Sequence, residues 1–260
     1  MTTAPTIAVP SLPAVLAAVS RVRADIDAAC RRADRDPNAV RLVGVTKSVD
    51  AAGARALFDA GVTDLGENRV VEGAAKTERV AAELPPGAPP PTWHLIGTLQ
   101  RNKVRRALAV FPWIHAVDSA GLLDAIERVA AETGAAPRCL LQVNVAAEPQ
   151  KHGLRPDDVE AVVARAAECR HLRCVGLMVM APLADAAEAS RPHFAALRAL
   201  RDRVAAATGW PLPELSMGMT QDFVVAVEEG ATLVRVGSAL TAAWRESPHP
   251  EPRAKGPSAG

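Results

Sequence analysis

A lysine at the end of a short apolar segment is the first residue whose type and position indicate chemistry. Lys47 follows Val43 and Val45 at the two-residue spacing of a strand, so the three side chains are expected on one face. An amine at the rim of an apolar interior is desolvated, which favours the uncharged nucleophile that condenses with aldehydes to a Schiff base. The alternative, which this segment alone leaves open, is a lysine that covers the strand end and extends its ammonium into solvent.

Two turns near the end of the sequence combine glycine with hydroxyl side chains just before predicted helices. They are Leu215–Thr220 and Val234–Ser238. Glycine lets an anion approach the backbone, and a helix N-terminus offers free N–H groups and a positive dipole. One such turn is often only a turn, but two together favour a phosphate site.

Arg235 lies in the second turn, and its side chain is expected to point the same way as that of Leu233. A guanidinium donates hydrogen bonds and does not give up its proton. We therefore expect Arg235 either to pair with a carboxylate or to donate to a ring nitrogen of a ligand.

Alternating strand and helix patterns must position these residues. After a helix predicted from Ser11, apolar strand segments alternate with amphipathic helices eight times. The strands are predicted at 41–47, 62–65, 92–96, 113–117, 138–145, 173–179, 213–216 and 232–236. Such alternation implies parallel strands with right-handed crossovers and predicts an α/β fold, a single (β/α)8 TIM barrel with an extra N-terminal helix. A doubly wound open sheet is the alternative, but the first strand lacks the glycine-rich phosphate fingerprint that such a sheet carries.

Three regions follow from this pattern. Residues 1–10 and 246–260 are predicted to be disordered, and 11–245 to form the barrel domain. In such a barrel the reactive side chains gather at the C-terminal ends of the strands. The residues at the predicted ends are Lys47, Asn68, His94, Asp118, Asn144, Met178, Ser216 and Arg235. A phosphate site after strands seven and eight, a lysine for an aldehyde and a donor for a pyridine nitrogen together describe pyridoxal 5′-phosphate (PLP).

Several motifs then resemble those of one family. They are Val45–Lys47, Gly66–Asn68, Trp93–Lys103 (WHLIGTLQRNK), Gln142–Asn144 with Lys151 and Gly153, Gly176–Met178, Leu215–Met219 and Val234–Gly237. As a set they are similar to the YggS/PROSC family of pyridoxal phosphate homeostasis proteins, whose barrel is like the N-terminal domain of alanine racemase. The sequence departs from the family at Leu240–Ala243, where an aromatic residue and a glycine are usual.

The resemblance implies a role for each matched residue. By this resemblance Lys47 would carry the Schiff base, and Arg235 would face the pyridine nitrogen. The residues that would hold the phosphate are Ser216, Gly218, Gly237 and Ser238, with Met217 and Met219 contributing backbone or wall contacts. Asn68 and His94 would line the ring pocket, and Met178 would pack nearby. Lys151 is a candidate second acceptor for the aldehyde, and an ordinary exposed lysine is the alternative.

The resemblance also raises the question of catalysis. Racemisation in the alanine racemase barrel needs a second base, a tyrosine from a separate C-terminal domain. This sequence has no tyrosine, and only a short polar, proline-rich segment follows Trp244. An arginine at the pyridine nitrogen also weakens the ring as an electron sink. We therefore expect a PLP reservoir or carrier with little or no catalysis. The alternatives are a weak racemase-like PLP enzyme acting on amino acids and, less compatible with Arg235, a barrel aldolase that bonds its substrate through Lys47.

Composition limits the partners. The 30 basic and 29 acidic residues leave a formal charge of +1, which gives no electrostatic case for nucleic acid. No apolar segment approaches the length of a membrane span, and the four cysteines show no metal-binding spacing. We expect a cytoplasmic, metal-free protein that is a monomer or weak dimer, with PLP-dependent apoenzymes as candidate partners and neither nucleic acid nor membrane bound.

Overall fold

Eight parallel strands close into a barrel in the computed structural model of this protein, which describes residues 10–146, 152–182 and 186–246. The strands are β1 (Arg41–Val45), β2 (Asp64–Glu67), β3 (Thr92–Leu95), β4 (Trp113–Val117), β5 (Arg138–Gln142), β6 (Arg173–Met178), β7 (Glu214–Met219) and β8 (Leu233–Val236). Each strand pairs with its neighbours in sequence, and β1 closes the barrel against β8. The predicted (β/α)8 TIM barrel is confirmed. The segments predicted to be disordered lie outside the described residues, apart from residues 10 and 246.

Helices connect the strands and cover the outside of the barrel. They are α1 (Leu12–Arg32), α2 (Ala51–Asp59), α3 (Val70–Ala82), α4 (Val104–Leu108), α5 (Ala120–Thr133), α6 (Val159–Ala167), α7 (Arg191–Thr208), α8 (Phe223–Glu228) and α9 (Ser238–Glu246). The side chain of Asp50 accepts a hydrogen bond from the backbone of Gly53 at 2.9 Å and thereby caps α2. Within the described ranges, no helix is long and apolar enough to cross a membrane.

The extra N-terminal helix α1 covers the region where the barrel closes. It contacts α2, α8 and α9, which belong to the first, seventh and eighth strand–helix units. Val15, Val19, Val22 and Ile26 are buried along one face of α1, at the helical spacing seen in the sequence. The predicted N-terminal helix is therefore present.

The strand side chains point alternately into two different environments. Outward residues such as Leu42 and Leu65 belong to the large apolar layer between strands and helices. The inward apolar cluster is small. It consists of Val43, Trp113, Ala116, Leu140, Met178 and Leu233, with Val175 packed against it. Buried polar side chains, including His94, His115 and Ser216, share the barrel interior with this cluster, so the space below the C-terminal mouth is chemically specific.

Two strand ends differ from the prediction in ways that matter for the site. β1 ends at Val45, so Lys47 lies in the following turn rather than on the strand. β7 continues to Met219, and its pairing with β8 changes register after Ser216. Gly218 has φ +90°, and a Cβ there would come within 2.5 Å of the Cβ of Ala226 in α8. Both the left-handed backbone and the close approach of α8 require glycine at this position.

Gly176 in β6 gives a test of how tightly the barrel is packed. A Cβ at Gly176 would overlap the carbonyl oxygen of Glu214 in the neighbouring strand. Because paired backbone cannot move aside, we expect Gly176→Ala to lower the free energy of unfolding by about 3 kcal/mol. Gly121→Ala is the control, since the added methyl there meets the end of the exposed, flexible Arg101 side chain. Urea unfolding of both variants measures the difference, and equal stabilities would contradict this description.

Candidate functional site

A cavity of about 710 Å³ opens at the C-terminal mouth of the barrel, among the loops that follow the strands. Its volume is within the range of about 300–1,000 Å³ that is usual for small-molecule sites. The predicted site residues that line it are Lys47, Asn68, Met219, Arg235, Gly237 and Ser238. The ends of the first and last strands therefore face one shared space.

Lys47 lies on the wall of this cavity with an exposed side chain. None of the described residues hydrogen-bonds to its ammonium or forms an ion pair with it. The sequence predicted apolar surroundings that desolvate the amine, but the turn after β1 carries the side chain out to the mouth. The amine is thus accessible to a ligand in the cavity.

A buried ion pair holds the backbone just before Lys47. The ammonium of Lys76 on α3 donates to the carboxylate of Glu67 and, at 2.7 Å, to the carbonyl oxygen of Thr46. The Thr46 hydroxyl also donates to Glu67, whose side chain is 1% exposed. Neither Glu67 nor Lys76 was predicted as part of the site, because a lysine on a helix ordinarily faces solvent. Together they fix the position from which the Lys47 side chain extends.

Asn68 is half-buried and follows the end of β2. Its carbonyl group lies so close to Gly97 that a Cβ at Gly97 would overlap the carbonyl oxygen. Gly97 belongs to the WHLIGTLQRNK segment, and it lines the cavity together with Thr98. This contact joins the loops after β2 and β3 and gives a physical reason for glycine in that motif.

Arg235 lies at the floor of the cavity and is 4% exposed. It donates from Nη1 to the Ser216 hydroxyl at 2.5 Å and from Nη2 to the carbonyl oxygen of Val179 at 2.9 Å. In the part of the protein that the structure describes, no carboxylate lies within ion-pair distance of it. Burial lowers the pKa of Arg235 to about 10, and the charge of Asp222 opposes that shift. The carboxylate partner that the sequence left as an alternative is thus not found among these residues.

Five predicted site residues do not line the cavity. They are His94, Met178, Ser216, Met217 and Gly218. Met178 belongs to the inward apolar cluster and pairs with Ser216 in the neighbouring strand. Met217 follows Ser216 and therefore points to the opposite side, into the outer layer. Ser216 is fully buried below Arg235, so its hydroxyl is directed to the guanidinium rather than to the phosphate loops. Gly218 serves the turn and the packing of α8.

His94 belongs to a line of buried polar groups inside the barrel, which we call the polar string. The hydrogen-bonded atom pairs are Asp64 Oδ1 with His94 Nε2 at 2.9 Å, His94 Nδ1 with His115 Nε2 at 2.9 Å, His115 Nδ1 with Ser216 Oγ at 2.8 Å, and Ser216 Oγ with Arg235 Nη1 at 2.5 Å. Burial lowers the pKa of His94 and lowers that of His115 further, where the charges of Arg235 and Arg41 add to the effect. Both imidazoles are therefore neutral.

The loops after β7 and β8 form the other side of the cavity. Helix α9 begins at Ser238, so its first N–H groups lack acceptors within the helix and suit an anion. The Gly237 N–H donates to the Thr220 hydroxyl at 3.1 Å, which joins the two loops. The Met219 N–H is already bound to Asp222 at 2.7 Å. Because the N–H groups of Gly237 and Met219 are both engaged, the start of α9 at Ser238 is the better candidate for phosphate.

The sequence missed several polar residues of the cavity wall. They include Gln142, Ser190, Thr220, Asp222 and Thr241. β5 ends at Gln142, so this residue lines the cavity where the longer predicted strand had placed Asn144 at its end. A polar residue directly after an apolar strand was the available signal for Gln142. The predicted second acceptor Lys151 lies outside the described residues. Among the described residues, no group of three or more His, Cys, Asp or Glu side chains is arranged to hold a metal ion.

The Glu67–Lys76 pair is expected to contribute strongly to stability. Lys76→Met leaves the buried carboxylate without its counter-charge, so the free energy of unfolding should fall by about 3–5 kcal/mol. The double variant Glu67→Gln/Lys76→Met should lose clearly less than the sum of the single variants, because neither charge remains. Arg128→Met, which breaks the exposed pair with Glu132, is the control and should cost less than about 1 kcal/mol. Additive losses in urea unfolding would contradict this role of the pair.

Comparison with known proteins agrees with this geometry. The sequence matches the family described as alanine racemase, N-terminal domain, over residues 19–243. The pyridoxal phosphate homeostasis protein of Deinococcus radiodurans is 40% identical over 234 residues, which cover 89% of this chain and 100% of that protein. The protein of the same name from Pseudomonas aeruginosa is 38% identical over 226 residues, which cover 85% and 92%.

Solved structures give the same result. PipY of Synechococcus elongatus, solved with PLP bound, has a TM-score of 0.75 and 34% identity, with 87% of this chain and 99% of that chain covered. Alanine racemase of Clostridium difficile shares the fold alone, with a TM-score of 0.63, 14% identity, and 77% of this chain and 54% of that chain covered. This chain therefore belongs to the family of alanine racemase N-terminal domains, and within it to the pyridoxal phosphate homeostasis proteins.

Proposed function

We propose that this protein binds PLP at the barrel mouth, holds its aldehyde as a Schiff base on Lys47, and acts in the cytoplasm as a PLP reservoir or carrier. The observation that carries the proposal is one cavity lined by both an accessible lysine and a buried arginine that lacks an ion-pair partner among the described residues. The homeostasis proteins named above and the PLP-bound PipY support it. PLP-dependent apoenzymes remain candidate recipients.

The residues present fit the three functional parts of PLP. Arg235 offers N–H donors to the ring nitrogen, and Gly237 with Ser238 at the start of α9 suits the phosphate. The amine of Lys47 suits the aldehyde. We assign Asn68 and Met219 to the cavity wall around the ring, whereas Ser216 and His94 act below Arg235. Met178, Met217 and Gly218 contribute packing and backbone shape.

The covalent step needs only Lys47 and the aldehyde. Lys47 would hold the aldehyde through its uncharged amine, whose two hydrogens would leave with the carbonyl oxygen as one water, so the attachment would be readily reversible. When bound, PLP supplies an electrophilic carbon and a ring that withdraws electrons from neighbouring bonds. Arg235 donates to the ring nitrogen without transferring a proton, which limits that withdrawal. This combination suits storage of the aldehyde better than catalysis.

The cavity wall also offers little for proton transfer opposite Lys47. The sequence contains no tyrosine, and the described lining residues include no histidine or cysteine. Asp222, the one carboxylate among the described lining residues, accepts hydrogen bonds from the Met219 N–H at Oδ1 and from the Ser190 hydroxyl at Oδ2. Both oxygens are thus occupied. A weak racemase-like activity on amino acids is the second candidate, since Lys47 itself is able to act as a base once an amino acid has displaced it.

Covalent attachment is tested by reduction. Protein incubated with PLP should show the absorbance of a PLP Schiff base, and borohydride should fix the group on the peptide that contains Lys47. Lys47→Ala should lose the band, because no other lysine lines the described cavity. Lys103→Ala, at an exposed lysine outside the cavity, is the control and should keep it. An unchanged band in Lys47→Ala would refute the assignment, and peptide mapping would show whether Lys151 carries the group instead.

The carrier role is tested by turnover. PLP-loaded protein is incubated with a panel of L- and D-amino acids, and products and change of configuration are followed by chiral chromatography. We expect release or exchange of PLP without sustained turnover, since none of the described lining residues is a free base opposite Lys47. Multiple turnovers at roughly one per second or faster would contradict the carrier role and favour the racemase-like alternative.

A further inference from the structure

The polar string crosses the barrel interior from Asp64, at the start of β2, to Arg235 under the cavity. His94, His115 and Ser216 have no exposed surface, and the Asp64 side chain is 13% exposed. The string contains four successive hydrogen bonds contributed by five different strands. Asp64, His94 and His115 do not line the cavity. Any influence they have on a ligand must therefore pass through Ser216 and Arg235.

With both imidazoles neutral, the two ends of the string fix the direction of every bond in it. Arg235 has only donors, so the Ser216 oxygen accepts. At the other end, Asp64 is an acceptor: burial raises its pKa, but the hydrogen bonds from His94 and Thr63 and the charge of Arg41 oppose burial, and the pKa is lowered. A neutral His94 that donates from Nε2 to Asp64 must accept at Nδ1. His115 then donates from Nε2 and accepts at Nδ1 from the Ser216 hydroxyl.

This direction determines what the Ser216 hydroxyl presents to Arg235. Because its proton is committed to His115, its lone pairs remain for the guanidinium. If His115 carried its proton on Nδ1, the Ser216 oxygen would receive a donor from each side and its own proton would lose its acceptor. The tautomers set by Asp64 therefore decide how firmly Ser216 holds Arg235.

We propose that Asp64, His94 and His115 are positioning residues, which orient Arg235 through Ser216 so that its remaining donors face the cavity. The string supplies Arg235 with a neutral acceptor, so the guanidinium is held in place and keeps its full charge for a ligand. The identity of that ligand as PLP rests on the proposed function above, whereas the direction of the string does not.

The first test uses protein without PLP. Long-range ¹H–¹⁵N spectra of the histidine rings should show His94 and His115 protonated at Nε2 alone. The guanidinium N–H signals of Arg235 should be separate and protected in the wild type and averaged in Asp64→Leu. Asp64→Asn keeps an acceptor oxygen for His94 and should restore the wild-type signals. A proton on Nδ1 of either histidine, or unchanged Arg235 signals in Asp64→Leu, would overturn the proposal.

The second test measures PLP dissociation by absorbance titration. Asp64→Leu should weaken binding about tenfold, as expected when one hydrogen bond to a charged group is lost. Asp64→Asn should stay within about twofold of the wild type. His171→Gln is the control, because His171 forms a pair of similar geometry with Glu127 at 2.8 Å on the surface; it should leave affinity unchanged.

A double-variant cycle separates positioning from general damage to the fold. Ser216→Ala disconnects Arg235 from the string, so adding Asp64→Leu should weaken PLP binding no further. Additive losses would overturn the proposal. If Asp64→Leu does not fold, His115→Gln takes its place in the cycle. The ring spectra of the wild-type histidines still decide the direction of the hydrogen bonds in the polar string. If wild-type protein does not bind PLP, the proposed function fails, and the Arg235 signals still decide the positioning role.

Discussion

The buried guanidinium of Arg235 is the constraint on which the site depends. A charge removed from water is costly unless hydrogen bonds replace its hydration. Here the replacement comes from neutral oxygens, the Ser216 hydroxyl and the Val179 carbonyl, rather than from an adjacent carboxylate. The positive charge is therefore satisfied without being cancelled. With Lys47 and Arg69 also on the wall and Asp222 engaged by its own donors, the cavity is electropositive and suits an anionic ligand.

Lys47 is supported in the opposite way. Its side chain is exposed, whereas the backbone before it is held by the buried Glu67–Lys76 pair and Thr46. A firmly held backbone with an exposed side chain suits the proposed role of forming and releasing a covalent bond. Arg235, by contrast, is buried and held by two hydrogen bonds at its guanidinium, which suits a group whose direction matters. The two residues thus differ in how they are supported, which fits the different roles proposed for them.

The strand–helix alternation was sufficient to predict the barrel, the extra helix and most strand positions. It also identified Lys47, Asn68, Arg235, Gly237 and Ser238, because residues that follow strands in a parallel barrel meet at one mouth. The pattern could not predict which way a side chain at a strand end points within the barrel. Whether Ser216 faces the cavity or a neighbour depends on its register with His115, 101 residues away in sequence. The role of Lys76 could not be predicted for a related reason. The sequence of a helix does not show whether a lysine on it faces solvent or a buried carboxylate.

The interior of this barrel is unusual in how little of it is apolar. An apolar barrel interior can be filled by many combinations of side chains. Here the polar string, whose hydrogen bonds all have a set direction, runs beside a small apolar cluster. A change that removes the donor or acceptor atom of any one member leaves a buried polar group without its partner, which lowers stability. In an apolar core, neighbouring leucines and valines can exchange side-chain volume through single substitutions. The residues of the polar string cannot be changed stepwise in this way. Over evolutionary time its members are bound to be kept together or replaced together.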